Sequence, residues 1–337
     1  MSGGDDGLNR STLVLTEGDV RESLPLEVCI KAVEHVLALH ARGEASAPVA
    51  VGLHTEGGGF HVKAAAARLG RYYFAAKTNG NFPGNPTTWG LPTIQGVILL
   101  SDAKDGRPLA LLDSMEVTTL RTGAATGVAA KYLARPDSAT ATVVGCGIQG
   151  RVQARSLARV LPIERIFALD TDDAVARAFA VEMTEAIGVP VTVADDLRSA
   201  TLRSDVIVTC TPSRRPLLGP DDVPPGVFVA AVGADHAEKH EIQPELFRSA
   251  TVVTDSTDQC EAFGDLHHAI AAGVVGRDVV HANLGQIVIG GRPGRSSAEE
   301  VVLFDSTGTA LQDVAAAAIV FERAVQSGRG HAIMLAG

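Results

Sequence analysis

The sequence predicts an α/β protein, with a doubly wound parallel sheet in its second half and an α+β domain in its first half. The first observation is a regular alternation of strand-like and helix-like segments after residue 139, which is typical of a parallel sheet covered by helices. The second is the composition, because 46% of the residues are hydrophobic and only 4% are aromatic, which suits close packing of helices on a sheet. The third is the length, since 337 residues exceed what one ordinary core contains.

The first half of the chain carries helix and hairpin signals. Residues 1–12 are rich in Gly, Ser and Asp, and we expect them to be frayed. Apolar residues at helical spacing predict a helix from Leu24 to Ala41. Between Val49 and Leu112, short β-like runs are divided by Gly and Pro, and Asp105-Gly106 is a hairpin signal. This pattern indicates an antiparallel sheet.

The second half begins with an Ala-rich helix, predicted from Thr118 to Ala134. Strands are then predicted at Thr140–Val144, Arg165–Leu169, Pro190–Ala194, Asp205–Thr209, Val227–Val232 and Val252–Asp255. Helices are predicted at Ile148–Leu161, Asp173–Ile187 and Leu311–Val325. The order strand, helix, strand, helix predicts a parallel, doubly wound sheet.

Charge and cysteine content narrow the class of partner. A net charge of -10 argues against nucleic acid, because phosphate binding needs a basic surface. The longest apolar runs are too short for a membrane span, and we expect no signal peptide. The four cysteines form no CxxC pair, so we expect neither a metal site nor a disulfide framework. A cytoplasmic protein is the simplest expectation.

A dinucleotide-binding fingerprint, Gly-x-Gly-x-x-Gly, follows the first strand of the second half. A β-branched strand precedes it and a helix-forming segment follows it, which is the context that this motif requires. Gly145 would permit a tight turn, Gly147 the close approach of a pyrophosphate, and Gly150 close packing of helix on strand. The helix N-terminus, at Ile148 and Gln149, would offer N–H groups to the phosphates.

An acidic residue at the end of the next strand completes the fingerprint. Asp170 lies twenty positions after Gly150, and its carboxylate would accept hydrogen bonds from the ribose hydroxyls. The same carboxylate would repel a 2′-phosphate, and the three residues after it add no Arg. The motif therefore predicts a Rossmann-type site for NAD; the alternative is a plain α/β turn with an incidental Asp.

Two lysines in the first half are candidates for substrate chemistry. Lys77 ends an apolar run before a loop rich in Gly, Asn and Pro. It would either hold a carboxylate or transfer a proton, with a pKa lowered by burial, or it is a surface lysine at a strand end. Lys63 and His61 would share one face of a strand, and that face is either catalytic or merely solvated.

Four other features outside the fingerprint have chemical potential. Arg121 offers a bidentate fork to a carboxylate or phosphate, unless it is a helix-surface arginine. Asp235 follows a predicted strand at the edge where α/β sheets bind ligands, so it is either an acid/base or a helix N-cap. The segment from Asp305 to Gly308 is either a loop over the cofactor or an N-cap of the last helix. We interpret His267-His268 as a surface or interface pair.

Several motifs together resemble those of the ornithine cyclodeaminase/mu-crystallin family, from about Leu13 to Val325. They are Gly90–Gly96, Leu120–Ala125, Val144–Gln149, Val232–Asp235 and Phe304–Asp313. The resemblance implies a homodimer in which residues 1–134, completed by 311–337, form a substrate-binding and dimerisation domain. Residues 135–310 would form the Rossmann domain. Hydride transfer between a nicotinamide and the carbon that bears an amine or imine is the implied chemistry.

The resemblance also implies roles for individual residues. Lys77 would contact the substrate and assist proton transfer, Arg121 would bind its carboxylate, and Asp235 would face the amino nitrogen. Thr122 would bind a cofactor phosphate, and Ser306 would contact the nicotinamide. The complete cofactor-binding set that we expect is Thr122, Gly145, Gly147, Ile148, Gln149, Gly150, Asp170, Thr211, Gly233 and Ser306.

Two departures from the family pattern concern the substrate carboxylate. The stretch Ala47–Gly52 lacks an Arg that many members carry, and Lys63 stands where many have Met. Either Lys63 and Arg121 share the carboxylate, or the acid group is placed differently. The implied activity is ornithine cyclodeaminase-like, with an imino acid (ketimine) reductase or an alanine dehydrogenase type as alternatives. A non-catalytic NAD(P)H-binding protein of the mu-crystallin type is the alternative from another class.

Overall fold

A computed structural model of the chain describes residues 11–335. The chain divides into two compact units. The first comprises the described residues of Met1–Arg121 and Thr309–Gly337, and the second is Thr122–Gly308. Both units combine helices with a sheet, so the predicted α/β class is confirmed.

The elements of the described residues are numbered here in chain order. The strands are β1 Thr12–Leu15, β2 Val49–Thr55, β3 Gly58–Leu69, β4 Arg71–Asn81, β5 Ile94–Asp102, β6 Pro108–Asp113, β7 Thr140–Val144, β8 Arg165–Leu169, β9 Val191–Val193, β10 Val206–Thr209, β11 Arg214–Leu218, β12 Phe228–Ala231, β13 His240–Ile242, β14 Thr251–Thr254, β15 Val280–Asn283, β16 Val302–Asp305 and β17 His331–Ile333. The α-helices are α1 Glu17–Ser23, α2 Leu26–Ala41, α3 Asn85–Thr88, α4 Ser114–Leu133, α5 Ile148–Val160, α6 Asp173–Ile187, α7 Leu197–Thr201, α8 Pro244–Ser249, α9 Thr257–Phe263, α10 Asp265–Ala271, α11 Leu284–Val288 and α12 Ala310–Ser327.

The first unit is built on a seven-stranded sheet in the order β17-β1-β6-β5-β4-β3-β2. Strands β2 to β6 pair antiparallel, as the turn signals predict. Strand β1 pairs in parallel with β6 and antiparallel with β17, so the two chain ends of this unit lie side by side.

Helix α12 covers one face of that sheet. Side chains alternate along β4, so that Tyr73, Ala75 and Lys77 share the buried face. The Tyr73 hydroxyl donates a hydrogen bond to Glu322 of α12 at 2.7 Å. An Ala-rich segment in α12 is almost completely buried and allows the helix to lie close to the strands.

The second unit contains an eight-stranded sheet in the order β15-β14-β16-β12-β10-β7-β8-β9. Its neighbouring strands are parallel, and its central residues, such as Ile207, Val229 and Leu303, are fully buried. The chain leaves β7 toward β8 on one side and later returns to β10 on the other. This reversal of strand order creates the crevice at which doubly wound sheets bind ligands. The predicted Rossmann-type sheet is therefore confirmed.

Several predicted elements match the structure, and others need correction. The limits of β7, β8 and α6 are those predicted. Helix α2 begins at Leu26 instead of Leu24, because Pro25 is its N-cap, and α1 is a separate, unpredicted helix. Thr12 lies in β1, so the expected fraying is wrong there, and residues 1–10 lie outside the described range. Helix α4 begins at Ser114, one turn before the predicted start.

Within residues 11–335 the structure has no helix that is long and apolar enough to cross a membrane. The same range contains no group of three or more His, Cys, Asp or Glu side chains arranged to hold a metal ion.

Candidate active site

A cluster of buried charges lies between β3, β4, α4 and α12 of the first unit. We call Lys63, Lys77, Arg121 and Asp313 the charge cluster. Lys77 Nζ lies 2.9 Å from Asp313 Oδ1, and Arg121 Nε lies 3.1 Å from the same oxygen. Lys77, Arg121 and Asp313 are 3%, 6% and 1% exposed, so the interpretations of Lys77 and Arg121 as surface residues are wrong.

The secondary structure explains how the cluster forms. Lys63 is directly opposite Lys77 in the register of β3 and β4, so the two side chains share one face of the sheet. Lys63 is only half-buried. Asp313 stands in the first turn of α12, where the helix dipole favours a negative charge. Gln312, beside it, accepts a hydrogen bond from Arg121 Nη1 at 3.1 Å.

The electrostatics of the cluster bring the pKa of Lys77 close to neutral pH. Burial lowers the pKa of Lys77 to about 7, and repulsion by Arg121 and Lys63 acts in the same direction, while Asp313 opposes it. Burial would raise the pKa of Asp313, but attraction by Lys77 and Arg121 prevails and lowers it. Asp313 is therefore a carboxylate at neutral pH, and Lys77 can exchange a proton.

The fingerprint glycines of the second unit have distinct environments. Gly145 has a φ of +100°, and a Cβ there would lie 2.9 Å from the carbonyl oxygen of Cys210. A Cβ on Gly150 would lie 2.2 Å from the carbonyl oxygen of Gly145, which leaves no room for a side chain. A Cβ on Gly147, in contrast, would meet no atom within 4 Å. The backbone at Gly147 is therefore open to a ligand.

The start of α5 fits a dinucleotide. Gly147 is the N-cap and supplies no side-chain hydrogen bond, and Ile148 at the first position is 68% exposed. The first N–H groups of this 13-residue helix thus lack an intrahelical partner and lie beside the open glycine. Gln149, in the same turn, is half-buried.

Asp170 is held at the same edge of the sheet. Its Oδ2 accepts a hydrogen bond from Cys146 N at 2.8 Å, and its Oδ1 accepts one from Asp172 N at 3.1 Å. Arg151, a nearby cation, donates to the carbonyl oxygen of Gly147 at 3.2 Å and pairs with Glu182 at 2.7 Å. These contacts hold Arg151 on the protein's own backbone and side chains.

The other predicted cofactor residues lie on elements around the same sheet. Ser156 Oγ of α5 donates to the carbonyl oxygen of Gly123 at 2.6 Å, so Thr122 on α4 lies beside the fingerprint helix. Thr211 and Gly233 follow β10 and β12, and the N–H groups of both donate to Glu241. Ser306, which follows β16, donates its hydroxyl to Asp255 at 2.9 Å.

The structure overturns two N-cap interpretations made from the sequence, that of Asp235 and that of the segment Asp305–Gly308. Asp235 is exposed and pairs with Lys239 at 2.6 Å, and the next element is a strand, so its reading as a helix N-cap is wrong. Thr309 is the N-cap residue of α12, whereas Asp305 accepts a hydrogen bond from Leu266 N at 2.9 Å.

The pair His267-His268, interpreted from the sequence as a surface or interface pair, is half-buried. One ring nitrogen of His267 is hydrogen-bonded to the carbonyl oxygen of Glu261. One ring nitrogen of His268 is hydrogen-bonded to the carbonyl oxygen of Lys239. The His268 ring also stacks on that of His240.

Sequence reasoning missed four of the polar residues that organise these sites, namely Gln312, Asp313, Glu241 and Asp255. A signal existed for the first two, since Gln312-Asp313 is a polar pair directly before the apolar run Val314–Phe321 of the last helix. Polar residues at such positions either form a buried polar site or interrupt the apolar core. Glu241 lies within the short strand β13 and Asp255 directly follows β14, and neither residue carries a local signal.

The fold and the fingerprint together define a Rossmann-type, dinucleotide-binding protein with a second, α+β unit. The chain belongs to the ornithine cyclodeaminase/mu-crystallin family, which it matches over residues 10–328. It is 38% identical over 322 residues to an alanine dehydrogenase of Archaeoglobus fulgidus, covering 96% of this chain and 98% of the relative.

Two solved structures are close to the whole chain. An archaeal alanine dehydrogenase dimer with bound NAD superposes with a TM-score of 0.92 at 37% identity, covering 97% of this chain and 100% of that one. The Δ1-pyrroline-2-carboxylate reductase of Thermococcus litoralis, in complex with NADH and L-proline, gives a TM-score of 0.91 at 31% identity. It covers 96% of this chain and 100% of the reductase.

Proposed function

We propose that the protein is an NAD-dependent oxidoreductase that acts on the C–N bond of a small α-amino or α-imino acid. The observation that carries this proposal is the pair of buried cations, Lys77 and Arg121, held on one oxygen of Asp313. An open fingerprint at Gly147 and the relatives that act on alanine or pyrroline-2-carboxylate support it.

Arg121 would bind the substrate carboxylate. A guanidinium has five N–H donors in a rigid fork. Its contacts with Asp313 and Gln312 use Nε and Nη1, so donors remain for the two oxygens of a carboxylate. Lys63, opposite Lys77, would share that carboxylate and replace the charge that the family's additional Arg supplies elsewhere.

Lys77 and Asp235 would move protons. A pKa of about 7 allows Lys77 to give a proton to the reacting nitrogen during reduction and to regain it afterwards. Asp235, at the carboxyl end of the strand before it, would take or give the second nitrogen proton. Asp313 keeps both cations in place throughout.

When bound, the coenzyme supplies a hydride in the reductive direction and accepts one in the oxidative direction. The residues that would hold it are the ten of the expected cofactor set, with Asp170 selecting NAD over NADP. We propose residues 135–310 as the dinucleotide-binding domain. Residues 1–134 with 311–337 would bind the substrate and form the dimer.

The outer face of the first sheet is the proposed dimer interface. Val49, Val51 and Leu53 of β2 are 58%, 58% and 63% exposed and point to the face opposite Lys63. Val62 and Phe60 of β3 pair with Val51 and Leu53 and extend the same apolar patch. A second copy of the chain would cover it, as the relative described as a dimer suggests. A cytoplasmic location fits the four free cysteines.

The proposal is tested by measuring NADH oxidation by the purified protein with cyclic imines, and with pyruvate plus ammonia. We expect NADH to be consumed with at least one imine and NADPH to be a much poorer donor. L-ornithine without added NADH tests the cyclodeaminase alternative, with native mass spectrometry to detect NAD+ that stays bound. NADH binding without turnover on any of these compounds would favour the non-catalytic alternative.

A further inference from the structure

A buried carboxylate, Asp255, holds the loop that follows β16 in the second unit. Its Oδ2 accepts hydrogen bonds from Ser306 Oγ at 2.9 Å and from Gly308 N at 2.7 Å. Its Oδ1 accepts from Thr307 Oγ1 at 3.3 Å and lies 3.6 Å from Cys260 Sγ. Asp255 is 6% exposed, so these donors, rather than water, satisfy its oxygens.

A second buried carboxylate, Glu241, accepts hydrogen bonds in the same way from residues at the ends of β10 and β12. Its two oxygens accept from Thr209 Oγ1, Gly233 N, and both the N–H and the hydroxyl of Thr211, at distances of 2.6 to 2.9 Å. Glu241 is completely buried. Both carboxylates thus bind the loops at the ligand-binding edge of the parallel sheet.

Further hydrogen bonds fix the backbone around these two carboxylates. Asp265 Oδ1 accepts from Glu241 N at 2.7 Å, and Asp305 Oδ2 accepts from Leu266 N at 2.9 Å. Asp255 N in turn donates to the carbonyl oxygen of Asp305 at 3.2 Å. The loops are therefore held by a continuous set of hydrogen bonds from the core.

The hydroxyl of Ser306 has one hydrogen and two lone pairs. Because its hydrogen is directed to Asp255, only lone pairs remain for a ligand. The Ser306 N–H is also used, since it donates to the carbonyl oxygen of Ala231 at 3.0 Å. Ser306 can therefore only accept a hydrogen bond from a ligand that reaches it.

We propose that Asp255 is a positioning residue that makes Ser306 an obligate acceptor for the carboxamide NH2 of the nicotinamide. This inference rests on the proposed function, in which Ser306 contacts that ring. The carboxamide NH2 is the donor on the nicotinamide, so an acceptor at this place selects the ring orientation in which that group faces Ser306. An Asn at position 255 has a single acceptor oxygen and an NH2 donor, so it cannot receive all the donors that Asp255 receives.

The test compares NADH with its reduced 3-acetylpyridine analogue, in which a methyl group replaces the carboxamide NH2. Dissociation constants of both are measured by fluorescence titration. For the wild-type protein we expect NADH to bind about tenfold more tightly than the analogue, since one hydrogen bond of ordinary strength is lost. For Asp255→Asn and for Ser306→Ala we expect this ratio to fall at least threefold, and Asp255→Glu should restore part of it.

Two carboxylate variants serve as controls. Glu241→Gln disturbs the neighbouring loop and should weaken both ligands by the same factor. Asp205→Asn alters a carboxylate that accepts from Ala139 N and Thr140 N, at the opposite end of β7 and β10, and should leave both constants unchanged.

A ratio in Asp255→Asn equal to that of the wild type overturns the inference and leaves the proposed function intact. If that variant does not fold, Ser306→Ala decides, because an unchanged ratio there leaves Asp255 with no acceptor to position. Failure of the wild-type protein to bind NADH would overturn both the inference and the proposed function.

Discussion

The ammonium group of Lys77 lies 2.9 Å from Oδ1 of Asp313, and both side chains are almost completely excluded from solvent. A buried ion pair stabilises a fold only when its desolvation is offset by close contacts. Here Asp313 also binds Arg121, so one buried carboxylate faces two buried cations. The pair is better explained by function than by stability.

The rate of imine reduction should fall as the pH rises above about 7, because Lys77 loses its proton there. In Asp313→Asn the inflection should move to lower pH, since the attraction that raises the pKa of Lys77 is gone. Profiles of kcat against pH measure both effects. In Lys77→Arg, the arginine stays charged and cannot give up the proton, so kcat should fall and the remaining rate should show no inflection near pH 7. An inflection that persists in this variant would exclude Lys77 as the titrating group.

Replacing Lys63 by Met should weaken substrate binding with little effect on kcat. The loss of one charge-assisted contact is worth about 1.5–3 kcal/mol, so KM should rise by about 10- to 150-fold. Steady-state kinetics with the best imine substrate measure it. Lys104→Met, at an exposed turn of the same unit, is the matched control and should keep the wild-type KM. An unchanged KM in Lys63→Met would remove Lys63 from the substrate site.

Gly147→Val should fold normally and lose NADH binding. A Cβ at this position meets no atom within 4 Å, so we expect the valine side chain to fit the protein and to occupy the space proposed for the pyrophosphate. Gly150→Val is the contrasting variant, because its side chain would collide with the carbonyl oxygen of Gly145, and it should not fold. Thermal unfolding and NADH titration separate the two effects. Tight NADH binding by a folded Gly147→Val protein would contradict the assigned cofactor site.

Val51→Lys should convert a dimer into a monomer. It places a charge at the centre of the apolar patch on β2 and β3, and a buried unpaired charge is costly in an interface. Size-exclusion chromatography with light scattering gives the mass. Val181→Lys, which changes an exposed valine on α6, should remain dimeric. A wild-type protein that is monomeric at all concentrations would refute the proposed interface.

Local signals account for the parts of the fold that the sequence predicts well. The β-branched run of β7 and the N-cap at Asp172, whose side chain accepts from Ala174 N, define their elements without reference to distant residues. Strands β1 and β17 were missed because each is stabilised by a partner far away in the chain, with Thr12 opposite Ile333.

The same distinction applies to the site. The fingerprint can be predicted because its glycines are consecutive and each serves the local turn. Asp313 could not be placed, since its role depends on contact with Lys77, 236 positions away. Asp255 likewise acquires its role from Ser306, 51 positions away.

Isotope labelling can follow the proposed hydride transfer to the α-carbon of an imino acid. The protein is incubated with NADH deuterated at C4 of the nicotinamide, on each face in turn, and with the imine that supports the fastest NADH oxidation. Mass spectrometry then locates the label in the amino acid product. We expect one deuterium at the α-carbon from one face only, and no label with Lys77→Met. Product without deuterium from either face, or deuterium at another carbon, would contradict the proposed hydride transfer.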